Sequence, residues 1–369
     1  MTEQAQNVPS PSLRDNGRLQ AVRHLFPGYF ALVMATGIVS AALLDVGRPG
    51  LSDALLAVAV VCLAVLVVLS VLRLALFPRD VGADLAAPDR TYGFFTLVAA
   101  CDVVGTRFAA DGRTTVTQVL FWVALPVWTV LSYGIPIRLV LGPRTRPVLA
   151  GVNGTWFIWV VGTQSLVITA ATLGSAFPSG TRSAALAAVS LWSVGVVLYL
   201  IVATLVLTRL LLLEVTPDDL TPPYWVTMGA TAITVLAAAR ILDMPGNAPA
   251  VQAAHPVIVG LAVVLWAFGT WLIPMLVAFG VWRHVLRRAR LEYQPQLWSI
   301  VFPLGMYAAA SMELGRAVHL PIVERIGRTW VWVAFPAWAL TFAAMLGRFV
   351  LARGWQGTAG DRPSDPAST

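Results

Sequence analysis

Stretches free of Asp, Glu, Lys and Arg recur ten times along the chain. In the first half they run from Phe26 to Leu44, Ala54 to Leu72, Thr91 to Cys101, Thr114 to Ile137 and Pro147 to Thr181. The second half adds Ser183 to Thr208, Leu220 to Ala239, Met244 to Trp282, Tyr293 to Met312 and Thr329 to Gly347. A helix crossing a bilayer needs about 20 apolar residues, so each run predicts one span. The eighth helix is expected to start near Pro256, well inside its run. The third run has only about half the spanning length and stops at Asp102. It counts as a span because Asp102 and Arg107 can pair with each other or face a water-filled interior.

The connections between runs separate by charge. Seventeen arginines, among them Arg14, Arg18, Arg23, Arg144, Arg146, Arg353 and Arg362, fall on the side that also carries both termini, and eight fall on the other. Cytoplasmic segments are enriched in Lys and Arg, so both termini are expected in the cytoplasm of a multi-pass plasma (cytoplasmic) membrane protein. Residues 1–22 and 353–369 are rich in Pro, Ser, Asp, Gly and Thr and read as disordered cytoplasmic ends around a ten-helix domain at 23–352. The first run is long enough to span and has no convincing cleavage site before Asp45, which argues against a cleaved leader.

The odd-numbered runs repeat a second pattern. Each begins with an aromatic group, followed about two turns later by small or hydroxyl residues: Tyr29-Phe30 then Thr36-Gly37, Phe94-Phe95 then Cys101-Asp102, Trp156-Phe157 then Gly162-Thr163, Tyr224-Trp225 then Ala230-Thr231, and Trp298 then Gly305. The aromatic positions lie 62 to 73 residues apart, the length of one two-helix unit, so the chain reads as five helical hairpins in series. The even runs differ: Ala54 to Leu72 is apolar on every face and Ser183 to Thr208 is similar, as expected of helices exposed to lipid. Small residues let helices approach closely and polar ones avoid lipid, so the odd helices are expected inside. The predicted fold is all-α and membrane-embedded, with ten helices as five hairpins about a pseudo-five-fold central pore.

Composition narrows the function classes. The chain of 369 residues is 58% hydrophobic and 12% charged, which excludes a water-soluble domain. Its net charge of +7 would raise nucleic acid as a partner in a soluble protein, but here every basic residue is an arginine between apolar runs, reporting topology. Cys62 and Cys101 both lie inside runs, which argues against a disulfide framework or a thiolate metal site. No cofactor or metal is expected. A polytopic enzyme is a poor alternative, because the only adjacent acids, Asp218-Asp219, sit in a turn-like Thr-Pro-rich connection and no HExxH, P-loop, GxSxG or CxxC pattern occurs.

The segments Phe26-Pro27-Gly28-Tyr29-Phe30 and Trp298-Ser299-Ile300-Val301-Phe302-Pro303-Leu304-Gly305-Met306-Tyr307 resemble the tellurite-resistance/dicarboxylate transporter family, which includes yeast malate permease and sulfite pump and plant slow anion channels. The span count and the hairpin repeat agree over almost the whole chain. The resemblance implies a homotrimer in the lipid bilayer, each protomer with its own pore through the odd helices, and a phenylalanine gate on the ninth. Phe302 matches that gate. A bulky apolar ring dewets a narrow pore, and Pro303 after it bends the helix toward the axis. The implied substrates are small inorganic or dicarboxylate anions, C4-dicarboxylates of the malate type before tellurite or sulfite, with a gated chloride or nitrate channel as the alternative. The long phosphorylatable tails of the plant channels have no counterpart here, and no substrate-specific motif matches.

The pore-lining candidates are therefore Phe30, Thr36, Phe95, Asp102, Phe157, Thr163, Trp225, Thr231, Pro303 and Gly305, with Phe302 as the gate. No arginine lies at mid-depth of an odd run. Arg23, Arg107, Arg240 and Arg316 stand near the ends, where they concentrate anions at the mouths or simply snorkel to the interface. Asp243 and Glu313 lie within pairing reach of Arg240 and Arg316 respectively. Asp102 inside a span is either a proton carrier or a structural partner of Arg107 or a neighbouring helix. The four histidines give no proton relay, since His24, His284 and His319 lie near span ends and His255 adjoins Pro256.

Overall fold

The computed structural model describes residues 17–143, 147–177, 180–245 and 248–358, with side chains over positions 19–348 of those stretches. Arg14, Arg144, Arg146, Arg362 and most of both expected tails lie outside the described residues. Twelve α-helices follow in order: α1 Gly17–Arg23, α2 Ala31–Asp45, α3 Pro49–Leu76, α4 Pro78–Ala86, α5 Phe95–Ala110, α6 Thr114–Leu141, α7 Phe157–Ala176, α8 Thr181–Leu212, α9 Val226–Leu242, α10 Pro249–Val281, α11 Trp298–Ala317 and α12 Pro321–Thr358. Ten helices are long and apolar enough to cross a membrane, and they follow the ten runs.

Boundaries move where the charge-free criterion misleads. Helix α5 continues unbroken through Asp102 to Ala110, so the third span has full length. Helix α10 starts at Pro249, because proline fits the first helical turn, where no backbone N–H is needed, and Pro256 then sits inside the helix. Helix α12 likewise starts at Pro321, ahead of Thr329.

The inside and outside helices alternate as the repeat predicts. In the five spans containing α2, α5, α7, α9 and α11, 67 to 89% of the most apolar window is buried, against 22 to 28% for α3, α6, α8, α10 and α12. The inner helices touch in cyclic order, α2 to α5, α5 to α7, α7 to α9, α9 to α11 and α11 back to α2. Each is preceded by a 3-10 turn, at Pro27–Phe30, Thr91–Phe94, Gly154–Trp156, Pro222–Trp225 and Pro295–Leu297. These turns contact one another in the same cyclic order. At the other end, three hairpins close with one device: the N–H of Arg48, Arg113 and Leu320 reaches back to the carbonyl of Leu43, Phe108 and Gly315 respectively. The residue before each donor, Gly47, Gly112 or His319, takes positive φ, which is how a left-handed residue terminates a helix.

Apolar composition concealed the buried stripe of each outer helix. On α3, Leu55, Ala59, Leu63 and Leu66 are buried while Val61, Val65, Val68 and Leu72 are exposed. On α8, Trp192 and Tyr199 are buried, so this helix is not lipid-facing all round. Trp192 belongs to a recurring joint between an outer helix and the next inner one. The indole N–H of Trp128 on α6 donates to the Thr163 hydroxyl of α7 at 2.9 Å, that of Trp192 to the Thr234 carbonyl of α9 at 3.0 Å, that of Trp266 on α10 to Ser311 of α11 at 2.9 Å, and that of Trp338 on α12 to Thr36 of α2 at 3.0 Å. The remaining seam, α3 to α5, instead joins Ser52 to Arg107. Trp128→Phe and Trp338→Phe are each expected to cost about 1 kcal/mol, the net value of one hydrogen bond, and the two losses should add because the seams are separate. Thermal unfolding in detergent measures this; unchanged stability in both would show that only the ring matters.

Candidate functional site

One cavity of about 420 Å³ collects residues from the approaches to all five inner helices: Phe26 before α2, Arg90 before α5, Asn153 and Thr155 before α7, Thr221 and Tyr224 before α9, and Gln296 before α11. Its walls are built by the loops themselves. The Asn153 side chain accepts from the Thr155 amide at 2.8 Å and donates to the Asp89 carbonyl at 3.2 Å, while Trp156 Nε1 donates to the Pro88 carbonyl at 2.8 Å. These bonds stitch the approach to α7 onto the approach to α5. The approaches to all five inner helices therefore converge on one cavity, on the side of the bundle from which those helices start and where their aligned peptide dipoles are positive. We call this cavity the vestibule.

Phe302 stands four residues into α11, about 6 Å along the helix from Trp298, and is buried. Among the described residues no aromatic ring stacks on it. The Pro303 ring beside it lies against Gly229 of α9, where an added methyl group would come within 2.8 Å of the proline Cγ. Gly305 closes on α2 in the same way, with Ile38 Cγ2 2.9 Å from where its Cβ would be. Pro303 and Gly305 thus hold α11 against its two neighbours.

Most of the other pore-lining candidates turn away from the inner ring. The hydroxyls of Thr36 and Thr163 receive the outer-helix tryptophans, and each donates to its own helix, to the carbonyl of Leu32 at 2.7 Å and of Trp159 at 2.9 Å. Thr231 donates to the Met228 carbonyl at 2.7 Å and faces Gly269 of α10. The aromatic repeat points outward too. Phe30 lines an apolar crevice with Val67 of α3 and Val127 of α6, Phe157 packs on Tyr199 of α8 at 5.4 Å between ring centres, and Trp225 borders a crevice with Leu276 and Phe279 of α10. Phe95 is wedged between α5 and α7, against Gly162. The recurrence read in the sequence is real, but for these residues it records helix packing.

Asp102 does not pair with Arg107. Its carboxylate accepts from Ser165 at 2.9 Å and Thr169 at 3.0 Å, both on α7, and it is buried. Arg107 points to the far end, where it holds Asp53 at 2.8 Å, Asp111 at 2.7 Å and Ser52 at 3.0 Å. The other mouth arginines are paired as well. Arg240 meets Glu313 of α11 at 2.7 Å instead of Asp243, and Arg316 joins Glu313 at 3.3 Å and Asp45 at 3.2 Å. Arg23 sits at the vestibule end and pairs with Asp80 at 3.2 Å.

Reading the sequence for mid-depth charge overlooked the vestibule residues. Arg209, in the last turn of α8, had counted only toward topology, yet its side chain reaches the cavity wall and pairs with Asp219. Burial alone pushes the Asp219 carboxyl up, but the hydroxyl and amide of Thr216 together with the Arg209 guanidinium outweigh it and hold the group below its ordinary value. A depressed carboxylate contributes stability above its unfolded pKa of about 4 and loses it as the pH falls through the lower folded value, so this joint is intact at neutral pH. The usable signal was the proline that opens three of the five turns, at Pro27, Pro222 and Pro295, marking equivalent helix starts.

Comparison with known proteins adds to the geometry. The profile of the voltage-dependent anion channel family matches residues 24–346. An uncharacterized membrane protein of Mycobacterium tuberculosis is 56% identical over 149 residues, 40% of this chain and 75% of that protein. An uncharacterized transporter of Methanocaldococcus jannaschii is 26% identical across 88% of this chain and 93% of its own. A sulfite efflux pump of Arthroderma otae is 22% identical across 88% of this chain and 90% of its own.

Proposed function

Because the chain belongs to the voltage-dependent anion channel family, whose profile matches it almost throughout, we propose that it is a permease carrying small anions along the axis enclosed by α2, α5, α7, α9 and α11, with Phe302 as the gate. The observation that carries this reading is the convergence of the approaches to all five inner helices on one vestibule. Aligned backbone dipoles attract an anion without a fixed cation in the bore, and a pore that binds weakly at each point releases what it takes up. An enzyme is not the reading, since family and relatives are transporters and channels.

The substrates are C4-dicarboxylates of the malate type or oxyanions of the sulfite type. The likeness to sulfite efflux pumps supports the oxyanion arm. The protein sits in the plasma membrane as a homotrimer with both termini in the cytoplasm, in keeping with the arginine bias, so the vestibule is the cytoplasmic mouth. Uptake of labelled malate, sulfite and chloride into vesicles across a pH gradient tests the proposal. At least one of the three should enter well above empty vesicles, and a dependence on the gradient would implicate Asp102, the one carboxylate buried at mid-span on α5. Entry of none would end it. Electrical recording separates the alternatives, because a chloride or nitrate channel passes measurable current where a carrier does not.

A further inference from the structure

We propose that the vestibule contains an anion-docking site whose cation is Arg209. A small oxyanion or carboxylate occupies it before reaching Phe302. This deepens the permease reading and rests on it for the direction of travel, but not for binding itself.

Arg209 is 7% exposed and lines the vestibule, though it belongs to the outer helix α8. One of its terminal nitrogens, Nη2, holds Asp219. Nε and Nη1 are buried with no well-aligned acceptor among the described residues, and the hydroxyl of Tyr224, on the same cavity, is buried beside the guanidinium. Buried donors in native proteins are nearly always paired, and charged ones most of all. Turned toward the cavity, these groups find acceptors in a small anion, and a guanidinium suits carboxylates and oxyanions through several N–H groups at once.

The remaining charges at the cavity favour this assignment. Arg90 is engaged with Asp84 at 3.1 Å, so Arg209 is the buried cation with donors to spare. Asp89 and Asp218 also line the cavity, but both are exposed at its rim, where water and salt screen them more than the buried guanidinium. Asp219 has a specific part in the site. It neutralises Arg209 when no anion is present and competes with one that enters, which keeps the docking weak enough for release.

The test follows the unfolding temperature of the full-length protein in detergent as sodium sulfite or sodium malate is added at constant ionic strength. A ligand bound only by the folded state raises that temperature in proportion to occupancy. Wild-type protein should respond to at least one of the two anions. Arg209→Gln should move the half-saturating concentration up by about tenfold or more, Tyr224→Phe up by about threefold, and Asp219→Asn down, as expected of hydrogen bonds to a charged group. If Arg209→Gln does not fold, the Tyr224→Phe and Asp219→Asn arms decide. Equal half-saturating concentrations in all folded variants, or no response in wild type, would overturn the site. Vesicle uptake is read separately. Anion-dependent stabilisation without uptake removes the permease reading and leaves the docking site standing, whereas uptake with an Arg209-independent response does the reverse.

Discussion

Phe302→Ala is expected to raise the anion flux of reconstituted vesicles by more than about tenfold, since in the proposed permease the ring acts as a hydrophobic constriction that excludes water from the bore. The reasoning is electrostatic. An ion passing a dry constriction leaves its hydration shell in a low-dielectric medium, and the idealised cost runs to tens of kcal/mol. Widening the constriction by one phenyl group lets water follow the ion. Phe302 is about 1% exposed, so the same change also opens a cavity in α11 and costs about 3 to 5 kcal/mol of stability. Phe302→Leu separates the two effects, because it keeps a bulky apolar side chain and should stay close to wild-type flux. Folded Phe302→Ala protein with unchanged flux would remove the gate and leave the ring as packing.

The second large effect is on stability, at the opposite end of the bundle. Arg107 is almost wholly buried, with a side-chain exposure of 1%, while its partners Asp53 and Asp111 keep 65% and 33%. The arginine depends on the carboxylates more than they depend on it, because they retain water and it does not. Asp53→Ala or Asp111→Ala alone leaves one carboxylate and Ser52 in place and should cost about 1 kcal/mol. The double substitution leaves a buried guanidinium with only a hydroxyl, and should cost about 3 to 5 kcal/mol, more than the sum of the singles. Arg107→Met should cost less than the double, since the freed carboxylates are already hydrated. Thermal unfolding in detergent reads all four proteins. Strict additivity would mean that the two carboxylates do not share one charge.

The ten spans, their alternation between interior and lipid and the five-hairpin repeat were legible in the sequence, because a bilayer demands about 20 apolar residues per crossing and small or polar residues are costly in lipid. Side-chain direction was not legible. Thr36, Thr163 and Thr231 recur at the right depth on the right helices, yet face outward, because a threonine on a helix buried all round has neighbours on every side and nothing in its own sequence favours the axis. Trp338, Trp128 and Gly269 are the missing half of that information, and they lie on helices whose composition showed only lipid exposure.

The tertiary structure also decided the partners of the charges that pair across helices. Spacing put Glu313 within reach of Arg316, and the two do pair, but it offered Asp102 either Arg107 or an unspecified neighbouring helix and gave Asp243 to Arg240, since sequence exposes only local distances. The folded chain joins Asp102 to α7, Arg240 to α11 and Arg107 to the start of α3. Arg209 and Tyr224 meet at one cavity only because five separate approaches converge there, a juxtaposition across the whole chain that no window of sequence contains. Hydropathy dictates which segments enter the membrane, being a property of each segment by itself; which atoms face the axis depends on how ten segments pack together.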